Sequence, residues 1–266
     1  MALVLSGCGG PTLPSAEPPA SSEPAPSPSP SPFTGPANIV LVVADDLGFG
    51  DLSAFGSTTI KTPNLDRLAS EGMRLTQFTV PSPVCAPSRA ALMTGRYPGR
   101  TGIHWNPPHH LFPHERTLGD LLRDQGYATG LVGKWHLGFE RDDLPAFHGF
   151  DFYYGLPYGE DPDNFYLGDA PTSDTVDFPF LAHKYTEEAV SFLRGVKDRP
   201  FFLCVAHRSP HTPLFASGPF LGKSEAGLYG DVVEELDFEV GRLVAALKDM
   251  GHERDTLVFF TSDNGP

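Results

Sequence analysis

The chain has 266 residues, which is enough for one large α/β domain with a sizeable buried core. It carries 19 Lys and Arg residues against 33 Asp and Glu residues, and the resulting net charge of −14 argues against non-specific nucleic-acid binding. No stretch reaches the roughly 18 consecutive apolar residues that a membrane-spanning helix needs. The three cysteines, Cys8, Cys85 and Cys204, lie far apart in dissimilar surroundings and do not indicate a disulfide framework.

The N-terminal arm has the composition of a tether. Its segment Leu5-Ser6-Gly7-Cys8 resembles a bacterial lipobox, although the charged and apolar parts of a full signal are missing, so residues 1–8 are interpreted as a truncated lipoprotein signal or a chance match. Residues 9–36 are rich in Pro and Ser and are expected to form an extended spacer without a core. These features predict a protein of the bacterial cell envelope, periplasmic or extracellular, with a lipid anchor at Cys8 and folded structure from about Ala37.

The first folded segment, residues 38–44, is a continuous apolar and β-branched run, which predicts a central parallel strand buried on both faces. It ends in Asp45 and Asp46. Two adjacent carboxylates at the end of a buried strand are costly unless a positive charge lies beside them, and their hard oxygen atoms favour Ca²⁺ or Mg²⁺. A helix cap plus one solvated aspartate is the alternative interpretation of this pair alone.

Residues 62–72 have a Thr cap, a Pro at the first helical position and a Gly stop, and they predict a helix. Residues 73–80 are expected to form a second strand that leads into a Pro-rich loop. The loop carries Cys85 to the start of another helix, where unpaired N–H groups favour an anion and Arg89 could add donors for an oxyanion. This setting is typical of a reactive thiol beside an anion site, and a small buried cysteine is the alternative.

Strands and helices alternate along the remainder of the chain. A long aromatic segment, residues 138–183, interrupts this alternation and is expected to be loop-rich and functional. The predicted helices cover residues 117–126, 184–196 and 228–250, and the predicted strands cover residues 127–133, 200–206 and 256–261.

Such alternation predicts a mostly parallel sheet sandwiched by helices, with ligands bound outside the carboxyl ends of its strands. Chemically active side chains follow four of the predicted strands, so they should meet at that edge. Lys134 and His136 would face one site if their segment is extended. The other groups at the strand ends are Asp45, Asp46, His211, Asp263 and Asn264.

Six motifs in order give the chain a family resemblance. The segment Cys85-Ala86-Pro87-Ser88-Arg89 fits the C-x-P-S-R core of the sulfatase family. The other five motifs are Asp-Asp-Leu-Gly from Asp45, Gly-Lys-Trp-His-Leu-Gly from Gly133, Gly-Phe-Asp-x-x-Tyr-Gly from Gly149, Pro-His-Thr-Pro from Pro210 and Ser-Asp-Asn-Gly from Ser262. Residues 222–237 resemble the arylsulfatase and steryl-sulfatase branch. The resemblance implies an alkaline-phosphatase-like α/β fold with a mixed, mostly parallel sheet.

The resemblance also implies roles for individual residues. Cys85 would be converted to formylglycine by a maturation enzyme, and Arg89 would steady the hydrate of that aldehyde. Lys134 and His211 would hold sulfate oxygens, with His211 also protonating the leaving alcohol or phenol, and His136 would help to expel sulfate afterwards. The implied ligands of Ca²⁺, which is favoured over Mg²⁺, are Asp45, Asp46, Asp263 and Asn264.

Two departures from the family pattern stand out. Related arylsulfatases have a further sulfate-binding lysine after the Asp-Asn-Gly motif and a smaller C-terminal subdomain, so residues 37–266 are expected to be an incomplete catalytic domain. Pro-Tyr-Gly at residues 157–159 replaces a frequent Pro-Tyr-Ser.

The predicted function is hydrolysis of a small organic sulfate ester with an aryl, steroid or carbohydrate group. The alternatives are a phosphonate or phosphodiester hydrolase on the same scaffold and an inactive truncated surface lipoprotein.

Overall fold

The structure is a computed structural model that describes residues 35–106, 110–158, 165–196 and 199–266. The predicted lipobox at Cys8 and almost all of the predicted 9–36 spacer lie outside the described residues. The first strand begins at Asn38, next to the position at which the change in composition places the start of the folded domain.

The strands within the described ranges are β1 (Asn38–Ala44), β2 (Ala128–Gly133), β3 (Phe152–Gly155), β4 (Tyr166–Leu167), β5 (Ala170–Pro171), β6 (Phe201–Ala206) and β7 (Thr256–Ser262). They form one mixed sheet in the order β5-β4-β3-β2-β6-β1-β7. The strands pair in parallel except at β4 and β5, which are antiparallel. This arrangement confirms the predicted fold class.

Helices cover both faces of this sheet. Those described are α1 (Pro63–Glu71), α2 (Cys85–Thr94), α3 (Pro98–Thr101), α4 (Leu118–Asp124), α5 (Leu181–Gly195) and α6 (Gly227–Asp249), with short 3₁₀ turns at Phe49–Asp51, Ser53–Phe55, Arg141–Asp143, Pro145–Phe147 and Phe178–Phe180. In the part of the chain that the structure describes, no helix has the length and apolar character to cross a membrane.

The position of β1 between two layers of helices explains why its sequence is apolar throughout. Val40 and Val42 pack with α1, α5 and α6 on one face of the sheet, whereas Leu41 and Val43 pack with α2 on the other. Because both faces are covered by helices, the usual alternation of apolar and polar side chains is absent, as predicted.

The predicted strand at residues 73–80 is wrong. This segment is irregular, and Met73 is 82% exposed. A turn in which the Phe78 N–H donates to the Leu75 carbonyl (3.2 Å) interrupts it, so the apolar positions on either side of the turn do not share one strand face. The long 138–183 segment also contains more regular structure than a loop, because β3, β4 and β5 lie within it.

Strand β7 lies at one border of the sheet. It pairs with β1, and among the described residues no strand pairs with its other edge. Leu257 and Phe259 are 52% and 47% exposed, so one face of this strand is only partly covered. Strand β7 is therefore the least protected of the long strands that the structure describes.

The N-terminus of α1 is capped by a residue from α6. The buried Asp237 carboxylate accepts hydrogen bonds from the backbone N–H groups of Leu65 (2.8 Å) and Asn64 (3.2 Å) and from the Asn64 side-chain amide (2.8 Å). Thr62, the expected cap, makes no side-chain cap bond and instead contacts Ser53. A distant carboxylate therefore satisfies the helix start that the sequence assigns to a local residue.

An Asp237→Ala variant is expected to lower the free energy of unfolding by about 1–3 kcal/mol, because it leaves buried N–H groups without an acceptor. Urea denaturation measures the change. Asp249→Ala at the exposed end of α6 is the matched control, with an expected change within about 0.5 kcal/mol. Equal effects of the two substitutions would contradict the capping role.

Candidate active site

The carboxyl ends of β1 and β7 bring the predicted metal-binding residues together. Asp46, the second residue after β1, has a left-handed backbone with φ of 61°, which turns the chain sharply at the sheet edge. Its N–H donates to Asp263 Oδ1 (3.2 Å), and the Asp45 N–H donates to the Ser209 carbonyl (3.0 Å). Backbone contacts between adjacent strand ends therefore fix the positions of these carboxylates.

A buried ionic cluster forms the floor of the site. Lys134 Nζ lies 2.7 Å from Asp45 Oδ2, and Arg89 Nη2 lies 3.3 Å from Asp45 Oδ1 and 2.8 Å from Asp263 Oδ2. Burial alone would raise the pKa of Asp45, but the charges of Arg89 and Lys134 outweigh it and hold that pKa well below its usual range. Burial is the larger effect at Asp263 and raises its pKa.

The geometry and chemistry of the acidic groups fit a hard divalent cation. Ligand atoms of Asp45, Asp46, Asp263 and Cys85 all lie within 4.8 Å of one another. Asn264 Nδ2 donates to Asp46 Oδ1 (2.5 Å), while its buried Oδ1 has no hydrogen-bond partner among the described residues. An oxygen without a partner beside three carboxylates matches the ligands that Ca²⁺ prefers.

The local charge supports the same interpretation. Three carboxylates face the two cationic side chains of Arg89 and Lys134, which leaves one negative charge in the cluster. A divalent cation would reverse that sign. The site would then attract an anionic substrate, although the chain as a whole is acidic.

Cys85 is the first residue of α2, so it lies at the start of a helix as predicted. Its Sγ lies 3.4 Å from Asp45 Oδ1 and 3.7 Å from Asp46 Oδ1. Burial raises the pKa of the Cys85 thiol well above its ordinary value; the charges of Asp45 and Asp263 act in the same direction, and those of Lys134 and Arg89 oppose it. A raised pKa favours the protonated thiol, which is the less nucleophilic form, so this environment favours the alternative of a small buried cysteine over that of a reactive free thiol.

Lys134 and His136 reach one region by a different route from that expected. The segment is not extended, because two of its residues have positive φ angles: Gly133 at 110° and His136 at 63°. The His136 N–H donates to the Pro157 carbonyl (2.7 Å), and its buried Nδ1 has no partner within the described ranges. Burial, then the charges of Lys134 and Arg89, lower the pKa of His136 to about 3, so its imidazole is neutral at pH 7.

His211 approaches the same cluster from the loop after β6. Its Nε2 lies 3.6 Å from Asp46 Oδ2, and its Nδ1 lies 2.5 Å from the Thr212 carbonyl oxygen. A carbonyl oxygen can only accept, so Nδ1 carries the hydrogen and Nε2 faces the carboxylate cluster. The imidazole is therefore oriented with one nitrogen anchored to the backbone and the other directed at the site.

Comparisons with known proteins decide the family. A model of the Sulfatase family matches residues 37–266. The chain belongs to the sulfatase family. Among its relatives, arylsulfatase A of Bos taurus is 41% identical over 87% of this chain and 52% of its own length. N-acetylgalactosamine-6-sulfatase of Canis lupus familiaris is 38% identical over 86% and 50%, and steryl-sulfatase of Mus musculus is 35% identical over 86% and 51%.

Solved structures agree with this assignment. Ps i-CgsB in complex with k-i-k-neocarrahexaose has a TM-score of 0.81 and 33% identity, covering 87% of this chain and 59% of that chain. PsFucS1 sulfatase from Pseudoalteromonas sp. has a TM-score of 0.80 and 31% identity, covering 87% and 56%. The phosphonate monoester hydrolase of Agrobacterium radiobacter, with a TM-score of 0.65 and 21% identity over 86% and 62%, shares the fold alone. The expected alkaline-phosphatase-like fold is confirmed. The chain spans about half the length of the curated relatives it matches.

Two polar contacts in this sulfatase-family site are not predicted from the motifs. The Ser88 hydroxyl donates to the backbone carbonyl of Asp263, which ties α2 to the end of β7. Asn106 Oδ1 accepts the N–H of Ala86 (3.0 Å), so a rim loop satisfies one of the free donors at the start of α2. Ser88 lies within the Cys85 motif and could have been singled out there, whereas a lone Asn in an irregular loop carries no signal.

Proposed function

We propose that this chain hydrolyses a small organic sulfate ester, with Cys85 converted to formylglycine by a maturation enzyme and Ca²⁺ held at the sheet edge. One observation carries the proposal: the Cys85 side chain lies against Asp45 and Asp46 in a cluster that also contains Arg89 and Lys134. The nucleophile position, two fixed cations and the oxygen ligands of a divalent ion thus share one buried edge. Asp45, Asp46, Asp263 and Asn264 would hold the ion, which supplies Lewis-acid stabilisation of the transferring group.

The residues around Cys85 have separate tasks in this reaction. The formylglycine hydrate would supply the oxygen nucleophile that a protonated thiol cannot. Arg89, fixed by Asp45 and Asp263, orients the side chain at position 85 from the same helix. Lys134, whose Nζ is buried beside Asp45, offers its remaining N–H donors to the oxygens of the substrate.

Two histidines divide the proton transfers. His211 directs Nε2 towards the cluster; in its imidazolium form, with the Nδ1–H held by the Thr212 carbonyl, the Nε2–H is placed to protonate the departing alcohol or phenol oxygen, which leaves the neutral Nδ1–H imidazole. His136 is neutral beside two cations, which suits a base that removes a proton when sulfate is released. The negative charge of bound sulfate favours the protonated form of His136, so its basicity is greatest when the site is loaded.

The substrate class follows from the relatives only in outline. Their names include an N-acetylgalactosamine sulfatase, an arylsulfatase and a steryl-sulfatase, so we propose an aryl, steroid or carbohydrate sulfate ester. The lipid anchor at Cys8 and the cell-envelope location remain predictions of the sequence.

Mass spectrometry of the peptide containing Cys85 tests the nucleophile directly. In protein produced with a formylglycine-generating enzyme, we expect the Cys85 peptide to lose mass and thiol reactivity, because sulfur is replaced by an aldehyde oxygen. Cys204 is the matched control: it is fully buried in β6 and should keep its thiol. A Cys85 thiol that persists in catalytically active protein would contradict the proposal.

A substrate panel tests the reaction itself. Aryl sulfate, aryl phosphate and aryl phosphonate esters with the same phenol should be compared at saturating Ca²⁺. We expect turnover of the sulfate ester to exceed that of the two phosphoryl esters. A preference for the phosphonate would instead support the alternative hydrolase activity, and absence of sulfate turnover in converted protein would refute the proposed function.

A further inference from the structure

Arg208, in the loop after β6, is buried beside the functional site but belongs to none of the sulfatase motifs. Its side chain donates to three consecutive backbone carbonyls: Nη1 to His211 (3.3 Å) and to Pro213 (3.0 Å), and Nη2 to Thr212 (2.9 Å). The residue is only 6% exposed. A planar guanidinium with several fixed donors is suited to holding a curved backbone segment in one shape.

One of these carbonyls also determines the orientation of His211. The Thr212 oxygen accepts from both Arg208 Nη2 (2.9 Å) and His211 Nδ1 (2.5 Å). Because the hydrogen on Nδ1 is committed to this carbonyl, Nε2 is the nitrogen that faces Asp46 at 3.6 Å. The position of the Thr212 carbonyl therefore sets both the ring angle and the tautomer of His211.

Two aromatic rings hold the guanidinium itself. The Arg208 Cζ atom lies 5.2 Å from the centre of the Phe178 ring and 5.9 Å from that of Phe215, and the two rings stack with centroids 5.2 Å apart. Phe178 comes from the long segment before α5, and Phe215 comes from the loop that carries His211. Arg208 thus links the loop that carries His211, through hydrogen bonds, to the segment before α5, through a cation–π contact with Phe178.

We infer that Arg208 is a positioning residue that aligns His211 for protonation of the leaving group. It acts through the Thr212 carbonyl and does not touch the reacting atoms. This inference rests on the proposed function, in which His211 supplies a proton to the departing oxygen. Loss of the Arg208 guanidinium should therefore lower kcat/KM far more for substrates whose leaving group needs this proton than for substrates whose leaving group does not.

The first test is independent of catalysis. In protein labelled with ¹⁵N-histidine, nuclear magnetic resonance at one fixed pH distinguishes the two neutral tautomers of His211. The wild type should show the form with hydrogen on Nδ1, and Arg208→Lys should shift the population towards the other form. Phe178→Leu removes one of the two aromatic rings that contact the Arg208 guanidinium, and it should produce a smaller shift in the same direction. This second variant keeps the test available if Arg208→Lys fails to fold.

The matched control is Arg242→Lys, because Arg242 also contacts a histidine, His183, through its guanidinium (2.7 Å) but lies on α6. This variant should leave the His211 signals unchanged. An unchanged His211 tautomer in both Arg208→Lys and Phe178→Leu would overturn the inference.

The second test compares leaving groups. Arg208→Lys is expected to lower kcat/KM for phenyl sulfate, a poor leaving group, about tenfold more than for 4-nitrophenyl sulfate, which leaves readily without a proton. In a His211→Ala background, the same substitution should cause no further selective loss. An equal loss for both substrates in the wild-type background would show a merely structural role.

The two hypotheses fail in distinguishable ways. If the converted wild-type protein turns over neither sulfate ester, the proposed function is refuted while the tautomer measurement still decides the role of Arg208. If it turns over both esters and Arg208→Lys does not discriminate between them, only the positioning inference is refuted.

Discussion

A Cys85→Ala variant is expected to lose at least about 10³-fold in kcat/KM for an aryl sulfate while keeping its fold. The side chain at position 85 lies against Asp45 and Asp46 and is the only candidate nucleophile we identify in the described site. Its removal deletes the atom that the proposed reaction requires, but it breaks no ion pair of the cluster. Steady-state kinetics and thermal unfolding together measure the two effects.

Cys204→Ala is the matched control for this experiment. Cys204 is fully buried in the core strand β6 and makes no contribution to the proposed chemistry. Its substitution should lower stability through a small cavity and leave kcat/KM within about twofold of the wild type. Retention of sulfate turnover by Cys85→Ala would remove Cys85 from the mechanism.

A Lys134→Met variant is expected to lower kcat/KM by about 10²–10³-fold without weakening Ca²⁺ binding. The buried Lys134 Nζ lies 2.7 Å from Asp45 Oδ2, so its removal deletes the proposed donor for sulfate and at the same time frees a carboxylate oxygen for the proposed metal ion. The metal-free protein should also lose stability, because Arg89 is then the one cationic partner that Asp45 retains among the described residues. Added Ca²⁺ should restore part of that loss.

Calorimetric Ca²⁺ titration and kinetics on the same preparation separate the two effects. Lys248→Met on the exposed end of α6 is the control, because Lys248 pairs only with Glu253 at the surface (3.2 Å) among its described charged contacts. It should change neither quantity. Parallel losses of Ca²⁺ affinity and of activity in Lys134→Met would assign Lys134 to support of the metal ligands instead of to the substrate.

Much of the fold could be predicted because the long elements are strongly patterned. The apolar run of β1 and the capped helix α4, where Thr117 accepts the Asp120 N–H (3.2 Å), both have the predicted form. Residues 73–80 do not, because an exposed apolar residue such as Met73 resembles a strand residue in composition. Only the absence of a neighbouring strand distinguishes the two cases, and that depends on the whole fold.

The convergence of the candidate site was also predictable, but its electrostatics were not. Parallel strands must end at one edge, so Asp45, Lys134 and Asp263 could be expected together. The raised pKa of Cys85 depends on burial and on the carboxylates of Asp45 and Asp263, which are distant from it in the chain. The motif alone therefore suggested a reactive thiol, whereas the buried surroundings of Cys85 in the structure favour its protonated form.

The sequence by itself determined the order of the long strands and helices apart from residues 73–80 and 138–183, the sulfatase motifs and the identity of the groups at the strand ends. These properties arise from local patterning and from residue type, which do not require knowledge of distant contacts. Only the tertiary structure decided which partners those groups meet: Asp237 at the start of α1, the left-handed turn at His136, and the Arg208 fork around the His211 loop. Each of these depends on residues brought together by packing, and hydrogen-bond geometry and burial are set by that packing rather than by spacing along the chain.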